Sequence, residues 1–312
     1  MNFLITGGAG FIGSHLCERL LTVGHRVICI DNLSLGTQDH IQHLMSNPQF
    51  SFINGAVTDT DLMEQLCRDH AINGIYHLAA NSDIQAGGKT MAIDLEKTLQ
   101  TTIACIECVR KFKINTFVFA SSSAVYGRFD GPMTEESGPC RPVSFYGAAK
   151  LASENYIHAM LEHADFQAWI IRFPNVVGHR LTHGVIYDFI RKLQQNPKTL
   201  EILGDGNQCK PYMLVEDLID GILVAQNQLT DMFNVINIGV DSATTVTDIA
   251  DKLVAHMKLK EVAYTYTGGP GGWAGDVPQF SYDLTKMKAM GWAPKYSSDQ
   301  AVQRCIEYEV PS

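Results

Sequence analysis

Apolar and polar positions alternate in blocks along the first half of the chain. Short apolar runs recur at Phe3-Leu4-Ile5, Val27-Ile28-Cys29-Ile30, Phe50-Ser51-Phe52-Ile53, Ile75-Tyr76-His77-Leu78-Ala79-Ala80, Thr116-Phe117-Val118-Phe119-Ala120 and Ala168-Trp169-Ile170-Ile171-Arg172-Phe173. Each is too short for a helix and rich in β-branched or aromatic residues, which predicts buried strands. Between them apolar residues fall at helical spacing. Leu16, Leu20 and Val23 mark a helix over 12–23, Leu62 and Leu66 one over 61–69, and longer helices are expected over 94–112 and 146–163. A polar helix is expected over 37–46. Strands alternating with helices predict a parallel sheet with right-handed crossovers.

From Pro174 the regularity breaks. A helix over 185–195, a strand over 200–203, a Gly204-Asp205-Gly206 turn and a helix over 217–225 precede an apolar strand over 233–238 that is expected to return to the sheet. An amphipathic helix over 247–257 follows, and Ser297-Ser298-Asp299-Gln300 has the capping-box pattern that opens a closing helix.

Between the first strand and the first helix lies Thr6-Gly7-Gly8-Ala9-Gly10-Phe11-Ile12-Gly13. Glycines at 7, 10 and 13 permit a tight turn, close approach of backbone to a ligand and close packing of helix on strand, while the helix N-terminus presents amides and a dipole to an anion. The second strand ends at Asp31, eighteen residues past Gly13, where a carboxylate accepts hydrogen bonds from an adenosine ribose. A 2'-phosphate would meet that negative charge with no basic residue nearby, so NAD is expected rather than NADP. The small residues Ala79 and Ala80 after the fourth strand again suggest close cofactor approach. These signals predict a Rossmann-type doubly wound α/β fold with a smaller, discontinuous C-terminal substrate domain. Residues 1–172 and 210–240 are assigned to the dinucleotide-binding domain, 173–209 and 241–312 to the other.

Composition narrows the function. A net charge of −9 disfavours nucleic acid and anionic membrane as partners, and no apolar run reaches membrane-spanning length. The apolar strand beginning at residue 2 leaves no signal-like segment before it, and the eight cysteines are scattered, which together suggest a reduced, cytoplasmic protein. Cys105 and Cys108 stand alone as a CxxC pair, and His179 and His183 lie on a loop without clustered acids, so no metal site is expected. His77, within an apolar strand, is read as structural.

Tyr146 and Lys150 stand four apart and so share one helix face. A cation beside a phenol favours the phenolate, lowering its pKa from about 10 and making a general base. The preceding strand runs into three serines, of which Ser122 or Ser123 could reach the same substrate oxygen.

Taken together, Gly7, Gly10 and Gly13, the Ser122–Gly127 stretch, Tyr146-Gly147-Ala148-Ala149-Lys150 and Arg172-Phe173-Pro174-Asn175-Val176-Val177-Gly178 resemble the extended short-chain dehydrogenase/reductase family, and within it the nucleotide-sugar epimerases and dehydratases. The resemblance covers essentially the whole chain. It implies Ser122, Tyr146 and Lys150 as the catalytic set. It also implies a cofactor site built from Gly7, Gly10, Phe11, Ile12, Gly13, Asp31, Asn32, Val57, Leu78, Ala79, Ala80, Tyr146, Lys150 and Phe173. For the substrate it implies Ser122, Ser123, Asn175, Arg180 and Lys210. Similar dehydratases and decarboxylases carry acids just before Val-Tyr-Gly, where this chain has Ser123 and Ala124. Epimerisation at C4 of a nucleotide sugar, through a transient 4-keto sugar reduced on its other face, is therefore favoured. The alternatives are a C4 dehydrogenase releasing the ketone, a dehydratase or decarboxylase, and a non-catalytic NAD-binding regulator. A homodimer pairing through the helices over 94–112 and 146–163 is also implied.

Three features depart from the family pattern. Ala56 replaces the acid that meets adenine, with Asp59 three residues on. Lys210 replaces an arginine on the substrate diphosphate, retaining charge without the bidentate fork. Gly271 and Trp273 offer no second arginine; either Arg180 or another residue compensates, or the substrate's head group is held differently. Trp273 could stack on a base or serve in a core or interface.

Overall fold

The computed structural model describes residues 1–311. Seven strands, β1 (Asn2–Thr6), β2 (Arg26–Asp31), β3 (Phe50–Asn54), β4 (Gly74–His77), β5 (Thr116–Ala120), β6 (Gln167–Arg172) and β7 (Phe233–Asn237), make one sheet in the order β7-β6-β5-β4-β1-β2-β3. All six pairings are parallel, with Leu4 opposite both Ile28 and Ile75, and Phe117 opposite Ala168. Successive side chains enter opposite cores. Leu4, Ile28, Ile75 and Phe117 pack on one face, and Ile5, Cys29, Tyr76 and Val118 on the other. Burial on both faces explains why the strands read as unbroken apolar runs.

Two helix layers cover the sheet. Helix α1 (Phe11–Thr22), and later α6 (Val215–Gln228) and α8 (Ser298–Glu309), bury residues such as Leu16, Leu218 and Val302 in the core that holds Ile5. Helices α2 (Thr60–His70), α3 (Thr101–Phe112) and α4 (Phe145–Met160) bury Met63, Ile106 and Ile157 in the core that holds Leu4. Each fully buried leucine or isoleucine contributes about 1.5–3 kcal/mol relative to leaving it exposed. The strand over 233–238 does return to the sheet, as β7 on its edge. Helix α5 (Val185–Gln195) and helix α7 (Val246–His256) complete the C-terminal part, and α8 opens with the capping box of Ser297 and Gln300. Short strand pairs tie this part together. Asn175–Val177 lies parallel to Tyr212–Leu214, and Cys209–Lys210 antiparallel to Thr244–Thr245.

Three elements differ from the periodicity. The segment 37–46 contains two 3-10 turns, Gln38–His40 and Gln42–Leu44, instead of an α-helix. Only Ile41 and Leu44 are buried there, and their spacing of three suits the tighter turn. The helix expected from residue 94 is interrupted by a π-helical stretch, Leu95–Gln100, before α3 begins. That wider turn accompanies the fixing of Thr98, whose Oγ1 accepts from the Asn81 amide at 3.2 Å. Strand β4 ends at His77, so Leu78, Ala79 and Ala80 leave the sheet. His77 is structural: its ring meets Thr6 Oγ1 at 2.7 Å and Thr102 Oγ1 at 3.1 Å, and burial holds its pKa down at about 3.

Candidate active site

The carboxyl ends of the strands open into a cavity of about 520 Å³. Every residue that the sequence assigns to the cofactor lines it. Gly7 has φ +70°, and a Cβ there would sit 2.8 Å from the Ala79 amide nitrogen. A Cβ on Gly13 would sit 2.2 Å from the Gly7 carbonyl oxygen. Only glycine fits either position, so the loop and the N-terminus of α1 close tightly while leaving amides facing the cavity. Asp31 is held by two amides, Ala9 N–H donating to Oδ2 at 3.0 Å and Leu33 N–H to Oδ1 at 2.8 Å. Its burial raises its pKa, and these amides act in the opposite direction. The cradle and the oriented acid fit an adenine dinucleotide. Ala56 lines the cavity, whereas Asp59 is engaged in capping α2 through the Leu62 amide.

On the far wall stand Ser122, Tyr146 and Lys150. Ser122 lies two residues beyond β5 in extended backbone, and its Oγ accepts from the Ala124 amide at 3.2 Å. Ser144 caps α4 by accepting from Gly147 N–H at 3.1 Å, which starts the helix so that Tyr146 and Lys150 face Ser122. Ser122 acts on the Tyr146 hydroxyl by favouring its ionised form. Lys150 Nζ donates to the Ala120 carbonyl at 2.5 Å and lies 5.7 Å from the centre of the Tyr146 ring.

The electrostatics correct one expectation. Burial raises the Tyr146 phenol to about 12, partly opposed by Ser122, with Asp94 pushing it further up. Burial also lowers Lys150 to about 7, while Glu154 and Asp94 raise it. Desolvation therefore dominates at both groups, which are withdrawn from water, and Lys150 Nζ is engaged by a backbone carbonyl.

A second cavity of about 760 Å³ shares part of the first one's wall. Ser122 and Asn175 line both cavities, and Ser123 and Lys210 line the second. Asn175 opens a short strand. Lys210 Nζ bonds Asp276 Oδ1 at 2.5 Å and lies 4.9 Å from the centre of the Trp273 ring. Trp273, itself partly exposed, lines this cavity. Arg180 does not join them. Its backbone is left-handed, φ +69°, and its side chain bonds Glu18 and Ser14 on α1, outside both linings.

Sequence reasoning missed the buried network behind Ser122, Tyr146 and Lys150. Arg172 bonds Glu154 through Nε at 3.0 Å and Nη2 at 2.6 Å, and Glu154 also accepts from Ser121 Oγ. Arg172 further donates to Tyr126 Oη at 3.0 Å, which in turn donates to Asn237 at 2.7 Å. The signal was present in the position of Glu154, one helical turn past Lys150.

A parallel sheet with a glycine cradle facing a Ser-Tyr-Lys set defines an extended short-chain dehydrogenase/reductase. The model of the "NAD dependent epimerase/dehydratase family" matches residues 3–239, and the chain belongs to that family. It is 31% identical to a putative UDP-glucose 4-epimerase of Methanocaldococcus jannaschii, over 98% of this chain and 97% of that one. Among solved structures, the UDP-glucuronic acid 4-epimerase of Bacillus cereus in complex with UDP-glucuronic acid and NAD superposes with a TM-score of 0.89 at 29% identity, covering 99% of this chain and 98% of the other. The UDP-glucose 4-epimerase of Thermus thermophilus in complex with NAD gives 0.87 at 27%, covering 99% and 98%.

Proposed function

We propose that the protein is an NAD-dependent 4-epimerase of a UDP-activated sugar. The observation that carries this reading is the convergence of Ser122, Tyr146 and Lys150 on a wall of the cavity that the glycine cradle opens. Gly7, Gly13 and Asp31 would hold the adenine half of NAD, and Tyr146 and Lys150 would stand at its reactive end. When bound, NAD supplies a reversible hydride acceptor and a positively charged ring. That charge would lower the Tyr146 phenol from the value that burial gives it.

Tyr146 Oη would then take the proton of the sugar 4-hydroxyl and later return it, while Ser122 hydrogen-bonds the same oxygen. Lys150, once protonated, stabilises the phenolate. Ser123 and Ala124 line the sugar-side cavity at the positions where related dehydratases and decarboxylases carry acids, and an alanine can neither give nor take a proton. The 4-keto sugar is accordingly re-reduced in place. A volume of about 760 Å³ leaves room for the sugar to turn.

On this reading residues 1–172 and 210–240 form the dinucleotide half, and 173–209 with 241–312 the sugar half. Asn175 and Lys210 would hold the substrate. We also propose a cytoplasmic homodimer acting in carbohydrate biosynthesis, paired through α3, α4 and the segment before α3. Met91, Leu95 and Tyr156 are exposed there, and sedimentation velocity would report a monomer if this pairing were wrong.

The activity test is incubation of purified protein with UDP-glucose or UDP-galactose and NAD, with products resolved by NMR. Interconversion is expected in the wild type. Tyr146→Phe should lose about 10²–10⁴-fold in turnover while retaining NAD.

A further inference from the structure

The two cavities meet along a strip of common wall, and Ser122 lies on it. The reacting carbon of any sugar served by Ser122 must therefore pass this strip. Asn175, Thr182 and His183 lie on it too, and among the described residues His183 is the only one of the shared lining with a titratable ring. Thr182 Oγ1 stands 2.9 Å from His183 Nδ1, which fixes the plane of the imidazole and leaves Nε2 as its other polar atom. Gly184, with φ +98°, then turns the chain into α5. Desolvation favours its neutral, hydrogen-bonding form and Asp83 its charged one; the residue itself is exposed.

The charges around the sugar-side cavity point the same way. Its described lining holds the carboxylates Asp83, Asp188, Glu201 and Asp276 against the ammoniums Lys192 and Lys210. Lys192 is shared between Asp188 at 2.9 Å and Glu201 at 3.3 Å, and Lys210 is paired with Asp276. A diphosphate must already draw on Lys210. A carboxylate on the sugar would add one more anion to a wall with twice as many acids as lysines.

We propose that His183 hydrogen-bonds a hydroxyl of the sugar from the shared wall, and that the sugar so held is an uncarboxylated hexose. This rests on the epimerase reading and names the substrate class of the same site.

The test uses the full chain loaded with NAD and three substrates: UDP-glucose, UDP-galactose and UDP-glucuronate. Wild-type kcat/KM is expected to favour the two neutral sugars by about tenfold or more over UDP-glucuronate, and His183→Ala to raise KM for UDP-galactose by about tenfold with kcat changed by less than about threefold. His183→Gln, which keeps a side-chain hydrogen bond, should recover part of that KM. NAD affinity and Tm should stay at wild-type values in both variants. A preference for UDP-glucuronate overturns the sugar class. A KM for His183→Ala within about twofold of wild type, or a loss of NAD affinity or Tm in its place, overturns the role of His183. A wild type that binds NAD yet converts none of the three sugars overturns the epimerase reading itself.

Discussion

Tyr146 shows why a side chain's neighbours must be weighed before its role is assigned. Four-residue spacing places Lys150 beside it, yet burial raises the phenol to about 12, and Ser122 is what opposes that rise. Removing its hydroxyl in Ser122→Ala should raise the phenol further and shift the ascending limb of the kcat–pH profile to higher pH. A fall in kcat of roughly 10²-fold should accompany it, and a profile that kept its wild-type position would show that Ser122 does not tune the phenol. Gly13 is constrained by geometry alone. With a Cβ 2.2 Å from the Gly7 carbonyl, Gly13→Ala should open the cradle and abolish tight NAD binding, as measured by protein fluorescence quenching. His77 makes a prediction for stability. Its folded value of about 3 lies below 6.5, so between those values the unfolded chain binds a proton that the folded chain refuses. Stability should therefore fall as pH drops through that window, by at most about 1.4 kcal/mol per pH unit from this group, as urea titrations at several pH values would show.

At the scale of elements, the pair joining α4 to β6 holds the helix of Tyr146 and Lys150 in place. Arg172 and Glu154 are both buried, and Ser121, beside Ser122, shares the same carboxylate. Glu154→Gln would leave a guanidinium without its counter-ion, which should cost about 3–5 kcal/mol in urea unfolding. It should also lower kcat, because Ser121 and the helix that carries Lys150 lose a common anchor. What the sequence conveyed about these elements depended on how regular the local signal was. The glycine loop, Asp31 and the Tyr146–Lys150 spacing are local patterns, and the structure gathers all of them on one cavity. Arg180 misled because its destination depends on a left-handed backbone that points it at Glu18. The Arg172–Glu154 pair stayed hidden because its partners lie eighteen residues apart on different elements. The turns over 38–44 followed burial of only Ile41 and Leu44, too little apolar surface to give a helical period.

For the whole molecule, the cradle draws walls from residues as distant as Gly7 and Phe173. A ligand that joins them stabilises the folded state by mass action. At about 100 times its Kd, NAD should add ~2.7 kcal/mol to unfolding and raise Tm accordingly, with NADP adding less at the same concentration because Asp31 opposes a 2'-phosphate. Equal Tm shifts for the two would show that Asp31 does not discriminate.

Strand β7 also bears on how the protein is made. It pairs with β6 from across the residues between Arg172 and Phe233, and through Asn237 it meets Tyr126 and the Met133 carbonyl. A growing polypeptide can assemble six strands and still present β6 as a bare edge, open to pairing with another copy until this last ribbon docks. Such a distant closure is slow relative to local helix formation. Refolding from urea should restore helical circular dichroism first and turnover afterwards, with aggregation concentrated in the interval between them.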